Sequence, residues 1–128
     1  MDILTTNGIT VTVYNQYLPD HSSPREGIFR FGYFISIENG SPFPVQLLRR
    51  HWIIRQASDE THEVKGEGVI GLQPIIVPGD SHEYASQCEL YTEMGRMVGT
   101  YLMRRCDNDA LFEVPIPAFT LVAPFKLN

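Results

Sequence analysis

Apolar residues recur at every second position along most of this chain, and that period restricts the fold more than any other feature. Ile9, Val11 and Val13 alternate with Thr10, Thr12 and Tyr14, and Phe29, Phe31, Tyr33, Ile35 and Ile37 alternate with Arg30, Gly32, Phe34, Ser36 and Glu38. A period of two puts one set of side chains on one face of a strand, where a helix needs 3.6. The aromatic Phe34 on the second face predicts that this face is partly covered as well. From Val45 to Gln56 both alternating sets mix apolar and charged groups: Gln46, Leu48, Arg50, Trp52 and Ile54 on one side, Val45, Leu47, Arg49, His51, Ile53 and Arg55 on the other. That mixture predicts a strand passing from core to rim. Thr61 to Val64 is placed to pair back on it as a hairpin. Ile75-Ile76-Val77 is a short strand and His82 to Leu90 a longer one, with Tyr84, Ser86 and Cys88 on one face. Met94 to Arg105 reads as a strand, because Gly95 and Gly99 would each cost a helix about 1 kcal/mol relative to alanine. Leu111 to Val122 is the last strand. Pro115 and Pro117 donate no ladder hydrogen bond, so it lies at an edge, is bulged, or is split in two.

Turn residues separate these runs. Leu18 to Gly27 is a polar loop with two prolines, and Gly8 precedes the first strand. In Glu38-Asn39-Gly40-Ser41-Pro42 the Asn-Gly pair is expected to supply positive φ, and the proline to end pairing. Ser58-Asp59-Glu60, Pro78-Gly79-Asp80 and Cys106-Asp107-Asn108-Asp109 are further turns, and Gly66 to Gly71 is a glycine-rich connection. The total is about eight strands and no helix, the pattern of an all-β sandwich or barrel. An antiparallel two-sheet sandwich of the immunoglobulin or fibronectin type III kind suits 128 residues, with a closed barrel second. A chain of this size buries about two-thirds of its unfolded surface, so residues 1–128 are expected to form a single domain.

Composition narrows the function. Ten Lys+Arg against fifteen Asp+Glu leave a net charge of -5, which argues against nucleic acid or an anionic membrane as the main partner. No stretch approaches a membrane helix, and the start lacks the basic and apolar regions of a secretory signal. Cys88 and Cys106 form no CxxC motif and read as reduced thiols of a cytoplasmic protein, a disulfide between adjacent strands being the alternative.

Few residues are arranged for chemistry. Gly66-Glu67-Gly68-Val69-Ile70-Gly71 matches GxGxxG, but Leu72-Gln73-Pro74-Ile75-Ile76-Val77 cannot supply the helix a dinucleotide site requires, so that reading is excluded. Two readings remain. The loop of Lys65, Gly66, Gly68 and Gly71 is an anion site built from backbone N–H groups, or its glycines serve turns and bulges between sheets. Glu67 opposes an anion. Arg49-Arg50-His51-Trp52 is a basic-aromatic cluster in which Arg49 and His51 share one side, Arg50 and Trp52 the other. It is either a ligand or partner surface at Arg49, Arg50 and His51, or Trp52 is core and the arginines pair with local acids. His21, His51, His62 and His82 show no metal-ligand spacing, so no metal site and no cofactor are expected. There is no GxSxG elbow and no cysteine beside a local histidine; Asp59-Glu60 and Asp107 with Asp109 fall in turns. No catalytic residue is assigned.

Taken together, Val45-Gln46-Leu47-Leu48-Arg49-Arg50-His51-Trp52, the glycine motif followed by Gln73-Pro74, Pro78-Gly79, Tyr84 with Ser86, the Gly95-Met97-Gly99-Tyr101-Met103 alternation and Phe112-Val114-Ile116-Pro117-Phe119 resemble the ApaG domain family over residues 11–124. The resemblance implies a sandwich similar to fibronectin type III domains. It implies an indirect association with cobalt resistance and magnesium homeostasis, and a genetic neighbourhood shared with diadenosine tetraphosphate hydrolysis. The same domain in eukaryotic F-box and polymerase-interacting proteins implies a non-enzymatic interaction module with a protein partner. The alternative is a phosphate- or nucleotide-binding protein, or a hydrolase of such ligands, using residues 65–71. A homo-oligomer is compatible with either.

Overall fold

The computed structural model describes residues 1–124. Nine strands account for most of them: β1 (Asp2–Thr6), β2 (Ile9–Tyr17), β3 (Phe29–Asn39), β4 (Val45–Gln56), β5 (Thr61–Glu67), β6 (Ile75–Ile76), β7 (Ser81–Leu90), β8 (Met94–Arg105) and β9 (Leu111–Val122). Two 3-10 turns, at Pro19–His21 and Pro24–Glu26, are each opened by a proline. Among the described residues no helix is long and apolar enough to cross a membrane. One sheet has the order β1-β2-β3-β7 and the other β5-β4-β8-β9, with β6 also paired to β4. Every pairing is antiparallel, so the fold is the expected all-β two-sheet sandwich and not a closed barrel.

The period-two pattern fills the space between the sheets. Ile9, Val11, Val13, Phe31, Ile35 and Ile37 are fully buried from one side, and Leu47, Tyr101, Met103, Val114 and Leu121 from the other. Trp52 joins them at 3% exposure, with Tyr33 and Phe119 edge-on against it at centroid distances of 5.7 and 5.9 Å. Gly99 makes room for the indole. A Cβ there would lie 2.5 Å from Trp52 Cε3.

Three expectations need correction. β1 is a strand that the alternation did not mark. It is joined to β2 by Asn7-Gly8, both at positive φ, the two-residue hairpin turn that best matches strand twist. The Asn39-Gly40 pair does not use positive φ; Asn39 is instead buried, and its side chain holds the Phe43 and Ile76 carbonyls and the Ser41 amide and hydroxyl. Phe34 itself is 39% exposed; the cover on this outer face is Leu18, which lies over Gly32. Finally, β4 does not drift from core to rim. Its register against β8 skips Leu48, Leu47 facing Met103 and Arg49 facing Leu102. Leu48 is a β-bulge, and the inward face runs Val45, Leu47, then Arg50, Trp52, Ile54 and Gln56. The strand β9 is both an edge and bulged, its register shifting at Pro117-Ala118 opposite Val98.

Candidate functional site

The β4–β5 ladder brings the two sequence candidates together. Arg49 pairs with Glu67, Arg50 with Gly66 and His51 with Lys65. Directly paired residues share a face, so Arg49, His51, Lys65 and Glu67 stand on the outer face of the second sheet. With Arg50, Gly66, Thr100, Leu102 and Glu113 they line a shallow depression of about 520 Å³. Two of its basic groups, His51 and Lys65, are answered by Glu63. Glu63 Oε1 lies 2.7 Å from His51 Nε2 and 3.3 Å from Lys65 Nζ. These contacts, His51 first, hold the Glu63 carboxyl below the usual range. Lys65 and Gly66 belong to β5, not to a loop.

The segment beyond β5 is a strand substitute. The Gly68 amide donates to the Leu48 carbonyl, as does Gln73 Nε2, while the Leu47 amide donates to Pro74 O. Val69 and Leu72 exchange both backbone hydrogen bonds across Ile70-Gly71, which are both at positive φ. The glycines therefore have different duties. Gly66 has no side chain because the Arg50 guanidinium lies on it; a Cβ would be 2.6 Å from Nη1. Gly68 is at φ +62, where a Cβ would meet the Leu72 carbonyl oxygen at 2.0 Å. Gly71 takes φ +73 with open space around it. Three amides of this segment, those of Gly68, Val69 and Leu72, are turned to backbone carbonyls.

Bulge phasing turns Arg50 inward, away from Arg49 and His51. Its Nη1 donates to Glu67 O and Gly68 O at 3.2 and 3.0 Å. Neither Arg49 nor Arg50 pairs with an acid among the described residues; the paired arginines are Arg30, Arg104 and Arg105. Below Arg50 the hydroxyls of Tyr84 and Tyr101 share a short hydrogen bond. Burial raises both phenols well above the ordinary range.

One surface feature escaped the sequence. Ile70, Leu72, Ile75 and Val77 are 60%, 56%, 58% and 48% exposed, while only Val69 and Ile76 between them are buried. The apolar run around Gln73-Pro74 looks like core. Because β6 is only two residues long and borders β4 on one side, it buries only one aliphatic of its own. The signal available was the proline at 74, which prevents a longer strand.

The histidines do not converge, and among the described residues no group of three His, Cys, Asp or Glu side chains is placed to hold a metal ion. Cys88 and Cys106 are separate free thiols. Cys88 is buried, and burial pushes its thiol up to about 11.

Comparison with known proteins places this arrangement in context. A family model described as the ApaG domain matches residues 19–105. Protein ApaG of Paramagnetospirillum magneticum is 49% identical over 122 residues, spanning 95% of this chain and 93% of that one. Protein ApaG of Pseudomonas aeruginosa is 44% identical over 124 residues, spanning 97% and 98%. Among solved structures, a protein from Bordetella pertussis superimposes with a TM-score of 0.87 at 41% identity, covering 91% of this chain and 94% of that one.

Proposed function

This chain belongs to the ApaG domain family, and from that premise we propose that it is a non-enzymatic interaction module that docks a protein partner on the β6 edge. The observation carrying this reading is the row of exposed aliphatics at Ile70, Leu72, Ile75 and Val77. Water-exposed aliphatics grouped on one short segment are costly to leave bare, and such patches mark partner surfaces. The segment also borders an unpaired sheet edge, whose backbone groups reinforce docking. Asn39, bonded to Ile76 O, and Leu48, bonded to Gly68 and Gln73, hold the segment in place, which lowers the ordering cost of binding. The association with cobalt resistance and magnesium homeostasis is then indirect, exerted through that partner. Two unbridged thiols suit action in the reducing cytoplasm.

The test is quantitative affinity capture from a bacterial extract with the wild-type chain and with Ile70→Asp/Ile75→Asp, followed by direct binding of the purified captured protein. The partner is expected to bind the wild type and lose at least about tenfold in affinity to the double variant, the effect of charging a hydrophobic contact centre. The melting temperature should be unchanged. Equal binding by both chains refutes the reading.

A further inference from the structure

A cleft of about 420 Å³ opens between the sheets, where the edge strands β5 and β7 flank β4 and β3. Its polar centre is Arg50. The guanidinium is fixed in position by two carbonyls on Nη1 and by the bare Cα of Gly66 beneath it. Among the described residues no carboxylate pairs with it, and its Nε and Nη2 make no hydrogen bond to the protein.

The acids at the rim are engaged elsewhere. Glu63 is held by His51 and Lys65, and Glu89 by Arg30 and the Tyr91 hydroxyl. Across the cleft, Tyr33 and Ser86 face each other in the β3–β7 ladder and line it, the Ser86 hydroxyl hydrogen-bonded to the Tyr33 phenol. Trp52, Ile54 and Met97 supply an apolar wall. The positive field of Arg50 reaches the phenols of Tyr33, Tyr84 and Tyr101, where it opposes the dominant effect of burial.

A half-buried cation with only neutral carbonyl partners is electrostatically incomplete, since charges removed from water are ordinarily matched by an opposite charge. A guanidinium anchored through one nitrogen presents its other N–H groups as a fork suited to a planar or tetrahedral oxyanion. The cleft volume falls within the range of small-molecule sites. We propose that this inter-sheet cleft binds a small organic anion, a carboxylate or phosphate on an aromatic or branched aliphatic body, with Arg50 holding the oxyanion, the Tyr33–Ser86 hydroxyl pair donating to it, and the Trp52 wall taking the apolar part. Arg50 also borders the outer-face depression, from which the cleft differs by its Trp52, Ile54 and Met97 wall.

The experiment is an amide and indole NMR titration with benzoate, phenyl phosphate and inorganic phosphate. Saturable shifts are expected at Gly66, Ser86 and the Trp52 indole N–H with benzoate or phenyl phosphate. The stronger of the two identifies the oxyanion; inorganic phosphate, lacking the apolar body, binds more weakly. Arg50→Gln is expected to weaken binding about tenfold or more, the loss for a charge-assisted hydrogen bond, whereas Arg49→Ala, on the outer face, leaves it unchanged. Should Arg50→Gln fail to fold, Arg50→Lys retains the charge without the fork and must still weaken binding. Absence of saturable shifts with both aromatic anions, shifts that survive these Arg50 substitutions, or shifts confined to Val69–Leu72 would overturn the proposal.

Discussion

Replacing each glycine of the GxGxxG motif with alanine separates three physical causes that the sequence pattern merges. At Gly68 the alanine must hold φ near +62 and bring its Cβ to 2.0 Å from the Leu72 carbonyl oxygen. Left-handed backbone costs a non-glycine residue about 1–2 kcal/mol. That carbonyl accepts the Val69 amide, and relieving the clash disrupts the reciprocal Val69–Leu72 pair at about 1 kcal/mol per bond. The total is about 3–4 kcal/mol. At Gly71 the positive φ is the whole penalty, because open space surrounds the new Cβ; about 1 kcal/mol is expected. At Gly66 the backbone is ordinary strand and the obstacle is the Arg50 guanidinium. Displacing it breaks its bonds to Glu67 O and Gly68 O at about 1 kcal/mol each, against a gain of about 0.5–1 kcal/mol from removing a strand glycine, so the net loss is about 1 kcal/mol. Urea unfolding measures these differences directly, and thermal unfolding should show about 4 °C per kcal/mol for a chain of this length. The loss is therefore largest at Gly68 and smaller, about 1 kcal/mol each, at Gly71 and Gly66. A cost at Gly66 equal to that at Gly68, or a Gly71 loss matching Gly68, would refute the assignment of separate roles.

Other outcomes follow from packing and charge. Gly99→Val should cost about 1–3 kcal/mol by overpacking and red-shift the emission of Trp52, which is almost fully buried; unchanged emission would contradict the contact. In the native protein at pH 8 a thiol reagent should modify Cys106 and spare Cys88, whose thiol is buried and raised to about 11, with both reacting in urea; two fast native thiols would contradict the burial. The Glu63 carboxyl is held below its ordinary 4.5 by His51 and Lys65. Its contribution to stability is complete above that value and lost as pH falls through the lowered one. Glu63→Gln should flatten this part of the acid limb in a pH series of urea midpoints, and an unaltered limb would count against the pairing.

The sandwich was legible because most strands alternate cleanly, and the buried sets of β2, β3, β7 and β8 coincide with the alternating residues. Where reading stopped short, a local feature had broken the period. The extra residue Leu48 mixes two phases into one strand, so Arg50 was legible as Trp52's companion but not as a residue whose guanidinium is held by the β5 backbone. Asn7-Gly8 and Asn39-Gly40 are the same dipeptide in different roles. The first closes a hairpin, while the second is decided by the long-range hydrogen bond from Asn39 to Ile76. The exposed aliphatics at 70–77 were hidden because composition reports hydrophobicity, whereas exposure depends on how short β6 is.

Leu48 has a consequence for insertions and deletions. Removing it would join Leu47 directly to Arg49, whose β8 partners Met103 and Leu102 are already consecutive. The shortened strand would keep every later side chain on its present face, with Trp52 still in the core. What would vanish is the carbonyl that Gly68 and Gln73 both use. This residue is thus a peg spliced into an otherwise continuous ladder: the sheet can be built without it, but the segment bearing Ile70 and Leu72 would lose two of its fastenings.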